Sequence, residues 1–207
     1  MKTNTLTTTD KSRTAMTDRA TGASTLRRVL LTASAIALGI GTWAADAEAQ
    51  RTQAGPMIQS AGAVFSVDTD LFTPTDRDYK VAFEIAQPSS SPDQLNPTIN
   101  TVARFLNMHA QAGVSEDRLS GAIVAHGPAS FELLDNEAYR ARFGVDNPNA
   151  ELIKELIANG QPVLLCGQSA ASRNVPTEGL IPGVQVALSA ITAFMLLQEQ
   201  GYRVNPW

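Results

Sequence analysis

Cysteine is the most reactive residue type in this sequence, and the chain has a single one, Cys166. It closes a short apolar run and is followed by Gly167-Gln168-Ser169-Ala170-Ala171-Ser172-Arg173. This order predicts a buried strand, a turn and a helix. The N–H groups of the turn and the helix dipole would then favour thiolate over thiol. Arg173, a turn later, would add a cation. The alternative is that Cys166 packs as a small, inert hydrophobic residue.

His126 is the second candidate. It follows the apolar run Leu119–Ala125 and precedes Gly127-Pro128. Ligands and reactive groups of α/β sheets gather beyond the carboxyl ends of the strands, where both Cys166 and His126 are predicted to lie. The glycine after each residue permits close backbone approach. The spacing favours a turn role for His126, with a ring nitrogen bonded to backbone. The alternative is an acid–base or orienting group near the sulfur.

Other chemistry has little support in the sequence. There is no Ser/His/Asp nucleophile motif, no phosphate-binding Walker loop and no dinucleotide fingerprint. Two histidines and one cysteine are too few for a closed structural zinc site within one chain. Four aspartates between residues 68 and 78 are interpreted as a solvated loop rather than a divalent-cation site. We therefore expect no metal site and no cofactor.

The first 49 residues resemble a signal peptide. No residue from Val29 to Ala45 is charged, Arg27 and Arg28 precede this run, and small residues at alternate positions favour cleavage after Ala49. An uncleaved membrane anchor is the alternative, but the run is short and diluted by Ala, Gly and Thr. The paired arginines fit either the general secretory or the twin-arginine route, and Met16 is an alternative start. We expect a periplasmic or secreted protein with no membrane contact after cleavage.

Export changes the charge balance and the meaning of the lone cysteine. The full sequence has 16 basic and 20 acidic residues, of which the leader contains six and four. The mature protein would therefore have 10 basic and 16 acidic residues, a net charge of −6. This argues against nucleic acid or an anionic membrane as a partner, since both need a basic surface. An intramolecular disulfide is excluded, so in an oxidising compartment the thiol is free, modified or paired with another chain.

The remainder is predicted to form a polar N-terminal arm, residues 50–77, and one α/β domain, residues 78–207. Alternating and buried strand patterns are separated by helical stripes with short connections, which indicates a mostly parallel sheet covered on both faces. We therefore predict a three-layer α/β/α sandwich with about five strands. The strands are predicted at 79–85, 119–125, 162–166, 183–186 and 202–204. The helices are predicted from a cap at Asn96 to Gly113, around 131–139, from a cap at Asn149 to Asn159-Gly160, and at 189–201.

Four segments together resemble the DsrE/DsrF-like family, close to its YchN-like branch. They are Ala122–Ala129 with Leu133-Leu134, Val163–Gln168 with Arg173-Asn174-Val175, Pro182–Ala190, and Gly201-Tyr202. The resemblance implies a parallel sheet flanked by helices and assembly as homotrimers or homohexamers. In several relatives, a cysteine at the position of Cys166 carries sulfur as a persulfide and passes it to a partner thiol.

Three hypotheses for function follow. The first is a sulfur-handling protein in which Cys166 attacks a small sulfur compound or receives sulfur from a partner-protein thiol. The Gly167–Ser169 turn would stabilise the thiolate, and His126 or Arg173 would tune it. The predicted binding residues are Gly127, Gly167, Gln168, Ser169 and Arg173. The second is a non-enzymatic oligomeric binding module with a packed Cys166. The third places Cys166 and His126 of neighbouring subunits on a shared soft metal ion.

Overall fold

The computed structural model describes residues 54–205. The predicted signal sequence lies outside the described residues. Within them, no helix is long and apolar enough to span a membrane.

Strands and helices alternate along the chain, as the hydrophobic patterns predict. Three 3₁₀ helices, Glu116–Arg118, Gly127–Leu133 and Thr177–Gly179, lie among them. In chain order the other elements are β1 (Tyr79–Ile85), α1 (Pro97–Gln111), β2 (Leu119–Ala125), α2 (Asn136–Phe143), α3 (Ala150–Ala158), β3 (Val163–Cys166), α4 (Gly167–Arg173), β4 (Gln185–Ala187), α5 (Ala190–Glu199) and β5 (Arg203–Val204).

The five strands form one sheet in the order β4-β3-β2-β1-β5. Every pair of neighbours is parallel, so all carboxyl ends lie along one edge. The register pairs Ile85 with Ala125, and Cys166 with Ala187. This confirms the predicted α/β fold and makes the sheet wholly parallel. It also puts the ends of β2 and β3, which precede His126 and include Cys166, at the same edge.

Side chains of β2 point alternately into two apolar layers because successive residues of a strand face opposite sides. Leu119, Ile123 and Ala125 join the larger layer, beneath α1 and α3, whereas Ala122 and Val124 join the smaller layer. The smaller layer also contains Ala193 and Leu197 of α5, together with Tyr202. Helices thus cover both faces, as predicted, but α5 is the helix that contributes to the smaller core.

The N-terminal arm differs from the loosely packed segment that its polar composition predicts. Met57, Ile58 and Val64 are buried, and the first two belong to the larger core layer. The side chain of Asn107, fully buried on α1, accepts hydrogen bonds from the N–H groups of Met57 and Ile58, at 3.1 and 2.7 Å. It donates to the carbonyls of Ile58, Ala61 and Gly62. The prediction of a loosely packed arm is therefore wrong for residues 57–64, which pack against the domain.

Two helix predictions change in detail. The helix expected through Phe131, Leu134 and Tyr139 is the 3₁₀ helix Gly127–Leu133 followed by α2, and Leu134 lies between them in an isolated bridge to Leu180. Asn149 precedes α3 but does not cap it with its side chain. Its amide instead donates to the buried carboxylate of Glu132, and its oxygen accepts from the N–H of Asn96 at 2.8 Å.

Candidate functional site

Cys166 is both the last residue of β3 and the residue that caps α4. Its Sγ accepts a hydrogen bond from the backbone N–H of Ser169 at 3.4 Å, which is the geometry of a helix N-cap. The side chain is 5% exposed. The sequence therefore placed the sulfur correctly at a strand-to-helix turn on the carboxyl edge of the sheet.

The surroundings of the sulfur favour its charged form. Burial raises the pKa of the Cys166 thiol, but hydrogen bonds from the side chain and backbone of Ser169 act in the opposite direction. The backbone N–H groups of Ala190 and Gln168 also lower the pKa, and the net result is a pKa below the ordinary value. Ala190 is the first residue of α5. The sulfur thus lies where the positive ends of α4 and α5 meet, which favours the thiolate over the thiol.

Gly167 is required here by space. A Cβ atom at this position would lie 2.7 Å from the carbonyl oxygen of Ala187, at the end of β4. The absence of a side chain lets the connection between β4 and α5 approach the turn after Cys166. Gln168 donates from its side chain to the carbonyl of Leu188 at 3.5 Å and holds the same connection. These contacts bring the N–H of Ala190 to the sulfur.

His126 is fixed by a carboxylate, so the turn role that its spacing favours is wrong. Its backbone N–H donates to the carbonyl of Ile85, while its ring Nε2 is 2.8 Å from Oε1 of Glu84, on β1. The side chain makes no capping hydrogen bond to the following 3₁₀ helix. Both partners are partly exposed to solvent. The pair is suited to moving a proton at the surface of this edge.

Ser169 connects the two candidate residues. Gly127, at φ 56°, donates its N–H to Oγ of Ser169 at 3.0 Å, and Ser169 in turn bonds the sulfur of Cys166. Within residues 54–205, no hydrogen bond joins His126 to Cys166 directly. The arrangement is a chain of donors from Gly127 to Ser169 to the sulfur, with the imidazole beside it.

Arg173 is not brought to the sulfur. It is the last residue of α4, and seven residues of α-helix rise about 10 Å along the axis. Arg173 is exposed at the end of α4 where the helix dipole is negative, and it is not among the groups that lower the pKa of Cys166. The cation expected one turn after the cysteine is replaced by backbone donors.

Two contributors were missed from the sequence. Glu84 interrupts the apolar pattern of β1 one residue before the strand ends, and this position was the available signal. The N terminus of α5 was predicted, but its approach to Cys166 depends on the pairing of β4 with β3. In the part of the chain that the structure describes, no group of three or more His, Cys, Asp and Glu residues is arranged to hold a metal ion.

A family model described as the DsrE/DsrF-like family matches residues 80–206. The chain belongs to the DsrE/DsrF-like family. The matched segment contains the whole sheet from the second residue of β1 onward, and it includes Glu84, His126, Cys166 and Ser169. The site described above thus lies entirely within the DsrE/DsrF-like part of the chain.

Two solved structures are similar to this DsrE/DsrF-like chain. One is a protein of unknown function from Methanobacterium thermoautotrophicum, with 18% sequence identity and a TM-score of 0.46, covering 62% of this chain and 98% of that one. The other is the ychN protein from E. coli, with 16% identity and a TM-score of 0.45, covering 61% and 96%. No curated protein sequence matches the chain significantly.

Proposed function

We propose that this protein handles sulfur in the periplasm and carries sulfane sulfur as a persulfide on Cys166. The observation that supports this best is the lowered pKa of a thiol placed where two helices begin. A thiolate, not a thiol, is the attacking species in sulfur exchange. The sulfur-relay role that the family resemblance implies requires such a cysteine at this strand end.

The proposed transfer is balanced without a cofactor. The Cys166 thiolate attacks the outer sulfur of a persulfide or polysulfide donor, the S–S bond of the donor breaks, and the remaining sulfur leaves as a thiolate. A thiolate of the acceptor then attacks the outer sulfur on Cys166, which leaves as the original thiolate. The electron pair of each broken bond stays with the leaving sulfur, so no external oxidant or reductant is consumed.

Ser169 and His126 take separate roles in this proposal. The Ser169 side chain and the N–H groups around the sulfur stabilise Cys166 whenever it is negatively charged. His126, held by Glu84, supplies a proton to the departing thiolate of the donor. Removal of Ser169 would affect every reaction of Cys166, whereas removal of His126 would affect transfer from a poor leaving group.

The test is the reactivity of Cys166 in the purified protein. Alkylation by iodoacetamide between pH 5 and 9 should follow a titration below the free-cysteine value of about 8.5. Incubation with polysulfide should add the mass of one sulfur atom, as detected by mass spectrometry. Cys166→Ser is the blank for both reactions. His126→Gln should slow sulfur loading while leaving the alkylation rate unchanged.

The second candidate is a binding module with an inert cysteine, and the 5% exposure of Cys166 favours it. In that case the thiol resists alkylation until the protein unfolds, and no sulfur adduct forms. Either result contradicts sulfur carriage. Periplasmic location is proposed from the leader pattern alone, and cell fractionation of the tagged full-length protein tests it independently.

We also propose that the protein self-associates through the outer surface of α5. Ile191 is 74% exposed there, next to exposed Leu188, Met195 and Leu196. Contiguous exposed apolar side chains of this kind favour a protein partner, and assembly as a homotrimer or homohexamer is what the family resemblance implies. The double substitution Ile191→Glu with Met195→Glu should shift the protein to the monomer in sedimentation velocity. Leu71→Glu, on another exposed apolar residue, is the matched control.

A further inference from the structure

A cavity of about 730 Å³ opens at the β5 edge of the sheet, on the side of β1 away from Cys166. Thr101, Arg104, Phe105 and Met108 of α1 form one wall. These residues recur at intervals of three and four, so they constitute a single stripe of the helix. A different stripe of α1, which includes Val102 and Leu106, packs in the core. Phe105 belongs to the core layer as well, so the cavity lies at the edge of the core, along the side of α1 that carries Arg104 and Met108.

The other walls of the cavity are also apolar. Val81 and Phe83 of β1 line its floor, and Phe65 and Val67 of the N-terminal arm approach from the other side. Some of these side chains are open to solvent, since Val67 is 67% and Met108 is 49% exposed. Small-molecule sites typically have volumes of about 300–1,000 Å³ and mainly apolar walls. Both the size and the lining of this cavity fall in that class.

Two arginines from different elements give the cavity a positive rim. Arg104 comes from α1 and Arg203 from β5, and both line the cavity. Within residues 54–205 neither guanidinium is in an ion pair, whereas Arg118 is paired with Asp78. An occupant with a negative group would therefore meet cations that have no carboxylate partner in this part of the chain.

A second cavity extends the first in a more polar direction. It has a volume of about 390 Å³, and it shares Phe65 and Arg104 with the apolar cavity. Its other lining residues include Ser60 and Asn100. Arg104 thus belongs to the walls of both the apolar and the polar cavity. This order of surfaces is complementary to a molecule with an apolar body and an anionic head.

We propose that this edge of the sheet binds a small amphipathic anion, with an aliphatic or aromatic body in the larger cavity and a carboxylate or sulfonate at Arg104 and Arg203. The site is separate from the proposed sulfur chemistry, because it lies at the β1–β5 edge and Cys166 lies on β3 next to β4. It depends on the N-terminal arm, since Phe65 and Val67 form one of its walls.

Isothermal titration calorimetry of the full chain tests the proposal with three ten-carbon probes: decanoate, decanol and decyltrimethylammonium. We expect saturable binding of decanoate, weaker binding of the neutral alcohol and weakest binding of the cation. The double substitution Arg104→Gln with Arg203→Gln should weaken decanoate binding roughly tenfold or more, the usual effect of losing charge-assisted hydrogen bonds. It should leave decanol binding unchanged. Arg77→Gln is the control for loss of an exposed arginine outside the cavity.

Two further variants fill the cavity from opposite walls. Met108→Trp and Val67→Trp each replace an exposed side chain, so the core is preserved, and each should reduce binding of both decanoate and decanol. Decanoate should leave the alkylation rate of Cys166 unchanged, which keeps this result distinct from the test of sulfur carriage.

Several results would overturn the proposal. These are the absence of saturable decanoate binding, equal affinity for the anion and the cation, or affinity that is unchanged in both tryptophan variants. If decanoate binds only after deletion of Pro206 and Trp207, the occupant of the cavity is the C-terminal segment and not a small anion. If the tryptophan variants change the sedimentation of the protein but not its affinity for decanoate, the cavity is a contact between copies of the chain and not a ligand site.

Discussion

Asn107 makes the attachment of the N-terminal arm testable at a single residue. Its side chain accepts from two backbone N–H groups of the arm and donates to three carbonyls. The amide has only two N–H groups, so the three carbonyls share two donors, and the side chain makes about four full hydrogen bonds. At about 1 kcal/mol net for each, replacement by leucine removes about 4 kcal/mol of arm attachment. Burial of Ile58, about 1.5–3 kcal/mol, and the hydrogen bonds from Gln59 and Ser60 to Glu155 remain in this variant and still favour attachment. Asn107→Leu should therefore weaken the attachment of the arm, so that it opens more often, without unfolding the sheet.

Hydrogen exchange measured by mass spectrometry gives the magnitude directly. Since 1.4 kcal/mol corresponds to a factor of ten, exchange of the Met57 and Ile58 amides should accelerate by about a thousandfold. Amides of β2 should keep their protection. Gly62→Ala should act in the same way, because a Cβ there would lie 2.6 Å from backbone and side-chain atoms of Ala103. Unchanged protection of the arm in Asn107→Leu would contradict this prediction, and so would an equal loss of protection in β2.

Three further changes have expected outcomes. Ser169→Ala removes a donor that lowers the pKa of Cys166, so the pH midpoint of alkylation should rise; an unchanged midpoint would show that the backbone N–H groups suffice. Gly167→Ala places a Cβ 2.7 Å from the Ala187 carbonyl and should destabilise the protein by about 1–3 kcal/mol in urea unfolding. Burial raises the pKa of Glu155, but hydrogen bonds from the backbone and a hydroxyl of the arm lower it below the ordinary value. A lowered folded pKa means that this contact stabilises the arm above the unfolded value of about 4.3 and is lost as the pH falls through the folded one. The amide resonances of the arm should report that loss in an acid titration.

The edge on which the site lies was predictable because hydrophobic patterns define strand ends well. The apolar run Leu119–Ala125 is buried on both faces, and Asn96 with Pro97 marks the start of α1. Parallel connection of such elements dictates that Cys166 and His126 follow neighbouring strands. This part of the site follows from local sequence and from topology alone.

The partners of these residues depend on contacts that local patterns do not encode. Glu84 meets His126 because β1 and β2 pair in one particular register. The Ala190 N–H acts on the sulfur of Cys166 because β4 adds to β3 and Gly167 allows close approach. Arg173 was expected to place a cation near the Cys166 sulfur, but it lies at the opposite end of α4 from that sulfur.

Buried polar groups account for the remaining differences. Asn149 has the residue type and position of a helix cap, but the buried carboxylate of Glu132 uses its amide instead. The arm looks like a linker because its backbone is attached by polar side chains, Asn107 and Glu155, rather than by an apolar stripe of its own. Such attachments span about 50 to 100 residues of sequence and leave no periodic signal.

The double position of Cys166, at the end of β3 and at the start of α4, couples its ionisation to folding. The hydrogen bonds that stabilise the Cys166 thiolate also cap the first turn of α4. Their free energy therefore lowers the pKa of the thiol and at the same time increases the free energy of unfolding. With a folded pKa below the unfolded one, this contribution is present above the unfolded value and is lost as the pH falls through the folded one. Any group attached to the sulfur alters the same cap, and the melting temperature thereby becomes a measure of what the cysteine carries.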